Sequence, residues 1–225
     1  MTSKEAISEL KLLATPEHYE QLQRFGINST KAIGVKVPSI RNLAKKIGVN
    51  NELAMELWAT EMHEARLLAS MIEDPIKLTE TQFDQWTADF DSWDMCDVTC
   101  DLFGRSPLVF KKINEYTARE EEFVKRCGFA LMCELSFHDK KIKNEDFYPF
   151  FDLIEREAWD ERNFVRKAVN WALRQIGKRN EVLRIKAIDC AERVLKQGTK
   201  SAKWIATDAL RELNNPKIIA RTANK

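Results

Sequence analysis

Two tryptophans stand on the wrong side of their own helices. In the segment SWDMCDVTCDLF, Ser92 to Phe103, Trp93 and Asp97 lie one turn apart at i and i+4. On a wheel of about 100° per residue, Met95, Val98, Thr99, Leu102 and Phe103 gather on one side. Trp93 and Asp97 fall on the other, flanked by Asp94 and Asp101. An indole and a carboxylate away from the core stripe either pack against a neighbouring helix or face a ligand. The segment NFVRKAVNWALRQIG, Asn163 to Gly177, repeats the pattern with the opposite charge. Its stripe is Val165, Ala168, Val169, Ala172, Leu173 and Ile176. Trp171 projects roughly 140° from the stripe's centre, among Lys167, Arg174 and Lys178. An aromatic inside a ridge of cations holds nucleic acid, by stacking or sugar contact on the ring and phosphate pairing on the cations. A solvated basic face with a half-buried Trp is the competing reading.

Two further features are weaker. Arg126 falls off the stripe of Phe123, Val124, Cys127, Leu131 and Leu135. Trp204 and Asp208 repeat the Trp-x-x-x-Asp spacing opposite Ile205, Ala209, Leu210 and Leu213. They are secondary candidates, since a Trp near a chain end also serves to seal a last repeat. Around the first Trp the acids crowd: Asp89, Asp91, Asp94, Asp97 and Asp101. Asp91 or Ser92 fits a helix cap and Asp94 a first turn, where negative charge is favoured. Asp97 has neither role. The sequence holds no G-x-G-x-x-G, Walker loop, G-x-S-x-G or H-E-x-x-H pattern. His63-Glu64 lacks a second His, and Cys96 and Cys100 lack a zinc-like quartet, so these cysteines read as helix-surface or core thiols and no metal or cofactor is expected.

The elements that must position these residues are helices. The hydrophobic period predicts them over 3–13, 16–25, 38–47, 51–59, 62–73, 79–89, 92–104, 107–117, 121–137, 145–157, 161–177, 180–196 and 201–213. Thr15-Pro16 and Ser106-Pro107 place a capping hydroxyl before a first-turn proline. Gly26, Gly48 and Gly177 sit where helices should stop. Short loops imply antiparallel pairs recurring at roughly 35–40 residues, near the HEAT-type period. A solenoid built this way has a concave face suited to an elongated partner. A plain helical bundle is the alternative.

Composition narrows the class. The 225 residues carry 36 Lys and Arg against 35 Asp and Glu, with seven Gly and six Pro. So few turn formers argue against an all-β or disordered chain. No apolar run approaches the roughly 18 residues that span a bilayer, and the charged, amphipathic start lacks a signal peptide's apolar block. Five cysteines, an odd number, fit reduced thiols in a cytoplasmic protein. The even balance hides a split. Residues 1–110 hold 11 Lys and Arg against 17 Asp and Glu, a net of −6, and residues 111–225 hold 25 against 18, a net of +7. The basic half suggests a polyanion.

Four segments carry a resemblance: Gly34–Leu43 (GVKVPSIRNL), Ser92–Asp97 (SWDMCD), Val124–Phe129 (VKRCGF) and Phe164–Arg174 (FVRKAVNWALR). With them the chain resembles the HEAT-like-repeat DNA alkylation repair proteins, the AlkD-like alkylpurine DNA glycosylases, from about residue 30 to 215. The resemblance implies a single all-α domain over 1–225, its helical pairs stacked into a curved right-handed α-solenoid whose basic concave groove holds damaged duplex DNA. It implies a catalytic carboxylate at Asp97, aromatic contacts to the damaged nucleotide at Trp93 and Trp171, phosphate contacts at Arg126 and Arg174, and a residue reaching the duplex at Lys36. Lys167 and Lys178 extend the basic ridge. Ser92 stands where the family's active member has the first of two adjacent tryptophans. The implied reaction is release of purines alkylated at N3 or N7, without full base flipping. A monomer in a bacterial-type cytoplasm, associated with the nucleoid through DNA, follows from the same resemblance. Two other functions share the fold: non-catalytic binding of branched or distorted DNA, and a protein-interaction module with the tryptophans as anchors.

Overall fold

The structure, a computed structural model, describes residues 1–138 and 141–223. Among them every regular element is helical, and the chain packs as two compact units, Met1–Leu108 and a second from Val109 onward. The first unit contains α1 (Ser3–Leu13), α2 (Pro16–Arg24), α3 (Val37–Ile47), α4 (Asn51–Ala59), α5 (His63–Ile72), α6 (Glu80–Ala88) and α7 (Trp93–Phe103). The second contains α8 (Val109–Tyr116), α9 (Glu122–His138), α10 (Tyr148–Glu157), α11 (Asn163–Gly177), α12 (Glu181–Lys196), α13 (Lys200–Leu213) and α14 (Pro216–Ala223). A 3₁₀ turn, Asn144–Phe147, leads into α10.

Caps set the starts. Thr15, Asn50, Thr79, Asn180 and Thr199 each accept a hydrogen bond from the backbone N–H three residues on, satisfying one orphan donor of the first turn. The Ser106 hydroxyl accepts from the Leu108 N–H, so α8 begins at Val109, two residues later than the proline suggested. Gly48 ends α3 with φ at +75°. Gly177 ends α11 as expected and does a further job. A Cβ there would come within 2.8 Å of the Ala187 and Leu213 side chains. Its bareness lets α11 approach its neighbours.

In each unit alternate helices form a layer. In the first unit α5 packs against both α3 and α7, with α4 behind it; in the second α11 packs against both α9 and α13. Every candidate residue lies on one of these layer helices or at one of its ends. The repeat is shorter in the first unit. His63–Asp94 and Trp58–Asp89 join successive repeats 31 residues apart, whereas Arg126–Phe164, Asn170–Asp208 and Arg174–Glu212 span 38. Only the second unit falls within the predicted spacing. Stacked rings fill the first unit's core, Trp58 on Trp86 at 4.0 Å and Phe83 on Phe103 at 3.7 Å.

α14 was not predicted. It packs on α12 and α13, and thereby takes the sealing role otherwise open to Trp204.

Gly128 tests the close approach of α8 and α9. A Cβ at this position would lie 2.8 Å from both the Thr117 backbone nitrogen and its Cγ2. Backbone cannot yield as a side chain does, so Gly128→Ala should destabilise the protein by about 1–3 kcal/mol. Thermal denaturation reads this as a lowered Tm; an unchanged or raised Tm would mean the helices separate at no cost.

Candidate nucleic-acid interface

The first unit carries its candidate residues on α7 and in the loop before α3. The α7 stripe is buried as predicted at Met95, Thr99, Leu102 and Phe103, while its fifth predicted member, Val98, is half-exposed like Trp93 and Asp97. Trp93 is pinned: its Nε1 donates to the Phe25 carbonyl at the end of α2, at 2.9 Å. Fixing one edge of the indole sets its orientation beside Asp97, its neighbour one turn on.

Much of the acidic cluster has structural employment. Asp89 accepts from Trp58 Nε1 at 2.8 Å and Arg66 Nη2 at 3.0 Å, and Asp91 accepts from Asn28 Nδ2 at 2.7 Å. Asp101 accepts from Arg105 one turn on. Asp94 does more than favour the first turn. It is buried and lies 2.9 Å from Nε2 of His63. Ser92 occupies the cap position, yet its fully buried hydroxyl makes no cap bond. The His63–Asp94 pair secures the start of α7 to α5 instead.

Sequence reasoning passed over His63 and Glu64 because it sought a metal motif there. Their partners lie about one repeat away. The Glu64 carboxylate, 1% exposed, accepts from the backbone N–H groups of Ile33, Gly34 and Val35 at 2.7–3.2 Å. Three donors converge on one charge, which offsets the cost of its burial. Gly34 has φ at +88°, and a Cβ there would meet the Thr15 carbonyl at 2.7 Å, so this loop needs glycine. The ordered loop presents Lys36, exposed at the α3 cap position.

The second unit carries its own candidate cations, more restrained than the wheels suggested. Trp171 is half-exposed while its helix's predicted stripe is fully buried. Lys167 is exposed. Arg174 Nη1 and Lys178 Nζ both donate to Glu212, at 2.6 and 2.7 Å. Burial raises the Glu212 carboxyl, but these two cations outweigh it and hold it below its ordinary value of 4.5. Arg126 is a clearer departure. It is 6% exposed and donates through Nη1 to the Phe164 carbonyl at 2.8 Å. A wheel sees only one helix's stripe, and α9 is buried on several sides, from Val124 to Ser136.

α11 and α13 meet in a ladder. Arg166 sits over the Trp204 ring at 5.1 Å, Asn170 Nδ2 donates to Asp208 at 2.8 Å, and Arg174 donates to Glu212. Asp208 also receives Arg211 and approaches Arg174. Trp204 remains 39% exposed, so it does not seal the repeat. Arg166 and Asn170 were not singled out from sequence; their i, i+4 spacing matching Trp204 and Asp208 was the available signal.

Stacked helical pairs with a pinned indole, a carboxylate one turn on and a basic second unit define a HEAT-like-repeat protein. A solved structure described as "a new family of proteins related to the HEAT-like repeat DNA glycosylases with affinity for branched DNA structures" is similar, with a TM-score of 0.79 and 21% identity over 94% of this chain and 95% of that one. The likeness establishes the fold. A comparison with curated proteins finds no match. The family model described as DNA alkylation repair enzyme matches residues 6–213, and the chain belongs to that family.

The His63–Asp94 pair makes stability depend on pH. Burial pushes the imidazole down, but the hydrogen bond and charge of Asp94, with Glu64 and Asp91 nearby, raise it above its ordinary 6.5. Burial raises Asp94, and His63 outweighs it, lowering Asp94 below 3.8. The His63 contribution is therefore full below pH 6.5 and lost as pH rises through its folded value. That of Asp94 is full above pH 3.8 and lost as pH falls through its own. His63→Gln should cost about 3 kcal/mol near pH 6, and the deficit should shrink toward pH 9. Parallel thermal melts across that range measure it. A constant deficit would leave His63 a packing role alone.

Proposed function

We propose that this protein is a DNA glycosylase that releases purines alkylated at N3 or N7 from duplex DNA. The observation that carries the reading is the half-exposed face of α7, where Trp93, pinned to Phe25, stands one turn before Asp97. An N3- or N7-alkylpurine is cationic and already a good leaving group. As the C1′–N bond breaks, its electron pair goes to the purine, which leaves neutral, and positive charge develops on the sugar. The Asp97 carboxylate stabilises that charge and orients the water that adds to C1′, whose proton it then accepts. The electron-rich face of Trp93 favours the same cationic character, and that of Trp171, in the second unit, is an aromatic contact for DNA. Lys36 and Lys167 meet phosphates, and Arg174 and Lys178 add positive potential while holding Glu212. Arg126 acts through the helix it secures. A lesion this labile needs little help in leaving, which fits chemistry without a deep pocket for the base.

Non-catalytic binding of branched DNA is the second reading. It is favoured by the affinity stated for the structural relative.

Asp97→Asn separates the two. The change keeps shape and removes the charge, at a half-exposed position outside the core. Release of 7-methylguanine should fall by on the order of 10²–10³, with Tm and duplex affinity nearly unchanged. Full release by the variant would take Asp97 out of the mechanism. Tight binding to junction DNA with no release by the wild type would favour the second reading.

A further inference from the structure

We propose that a cleft at the C-terminal ends of α9 and α11 binds one unpaired nucleotide of a DNA strand. The inference rests on the reading of this chain as a DNA-binding protein and adds a site for an unpaired nucleotide. The cleft measures about 510 Å3, within the roughly 300–1,000 Å3 of small-molecule sites. Its walls are Ser136 and Phe137 from α9, Gln175 from α11, Lys178 and Arg179 beyond it, and Arg221 from α14. Among the described residues lining it none is acidic.

Each wall matches one part of a nucleotide. Phe137 is 46% exposed, where the buried run of α9 ends. Its ring centroid lies 6.4 Å from that of Trp171, tilted by 48°, so the cleft continues from the aromatic already placed at the interface. A strand passing Trp171 could set its next base on Phe137, and stacking on an aromatic tolerates any base. The Gln175 amide offers both a donor and an acceptor to a base edge.

The phosphate needs positive charge where two helices end, and bare carbonyls would oppose it. Arg179 lessens that obstacle for α9 by occupying one of its last carbonyls. Its Nη1 donates to the Ser136 carbonyl at 3.2 Å and its Nη2 to the Ile142 carbonyl at 2.9 Å, with the guanidinium 5.0 Å over the Phe147 ring. Arg179 thus fixes a charge in the wall. Lys178 is held by Glu212, and Arg221, exposed in the last turn of α14, faces the same space.

The test compares a duplex bearing a one-nucleotide bulge with a fully paired duplex of equal length, by fluorescence anisotropy. The wild type should prefer the bulged duplex. Phe137→Ala should lose on the order of tenfold on it, Phe137→Leu a similar amount because leucine cannot stack, and neither should change affinity for paired DNA. Arg221→Gln, independent of the ring, should weaken bulge binding and flatten its salt dependence by about one phosphate contact. Unchanged thermal melts verify that each variant folds. Equal losses on both duplexes, or no loss, overturn the cleft site while leaving DNA binding intact. Wild-type protein that binds neither duplex overturns both readings. Deoxyadenosine monophosphate bound through Phe137 without any preference for the bulge would make the site one for free nucleotides, and overturn the strand assignment.

Discussion

Register between layer helices depends on polar side chains that reach from one helix to the next at a fixed offset. In the second unit the offset is 38 residues, and three successive rungs, Arg166–Trp204, Asn170–Asp208 and Arg174–Glu212, step along α11 and α13 by one turn each. Apolar stripes alone would let such helices slide by a turn, because Ala, Val and Leu repeat with the same period. The middle rung cannot slide without stranding the buried Asn170 amide. The first unit uses the same device between α5 and α7 at 31 residues, with His63–Asp94, and the helices behind them keep the same offset through Trp58–Asp89. Any residue on a layer helix inherits its position from these contacts, Trp93 and Asp97 included.

Charge follows the division into units. Residues 109 and 110 are Val and Phe, so the −6 and +7 of the two sequence halves are also the charges of the two units. The acidic unit devotes much of its carboxylate to internal bonds: Glu64 to a loop, Asp94 to an imidazole, Asp89 to an indole and a guanidinium. Those bonds need no solvent-facing role for the acids. The basic unit likewise spends Lys125 on Glu157 and Arg162 on Asp160. Ion pairs within a unit cancel in its sum, so the net charges already allow for them.

The helices were legible because a 3.6-residue period is a local property. α14 escaped because eight residues behind Asn214-Asn215-Pro216 hold barely two turns of period. The half-exposure of Trp93, Asp97 and Trp171 was legible for the same local reason. The burial of Arg126 was not, since it is decided by Phe164 in another helix. Glu64 was invisible in a stronger sense. Its partners are three backbone amides, which have no residue type to read. The shorter repeat of the first unit also hid the pairing of His63 with Asp94, as a search at 35–40 residues overshoots it.

All five cysteines, Cys96, Cys100, Cys127, Cys133 and Cys190, are buried and reduced. Burial pushes the Cys190 thiol up to about 12, far from the thiolate that reacts with electrophiles. The native chain is thus chemically quiet toward maleimides and mild oxidants while it stays folded. A cysteine introduced at an exposed position such as Lys167 or Lys36 would carry a dye or spin label almost alone, with no need to strip the native thiols from the core. The same burial turns thiol reactivity into a clock for opening, since labelling of the native five would report how often each unit exposes its interior.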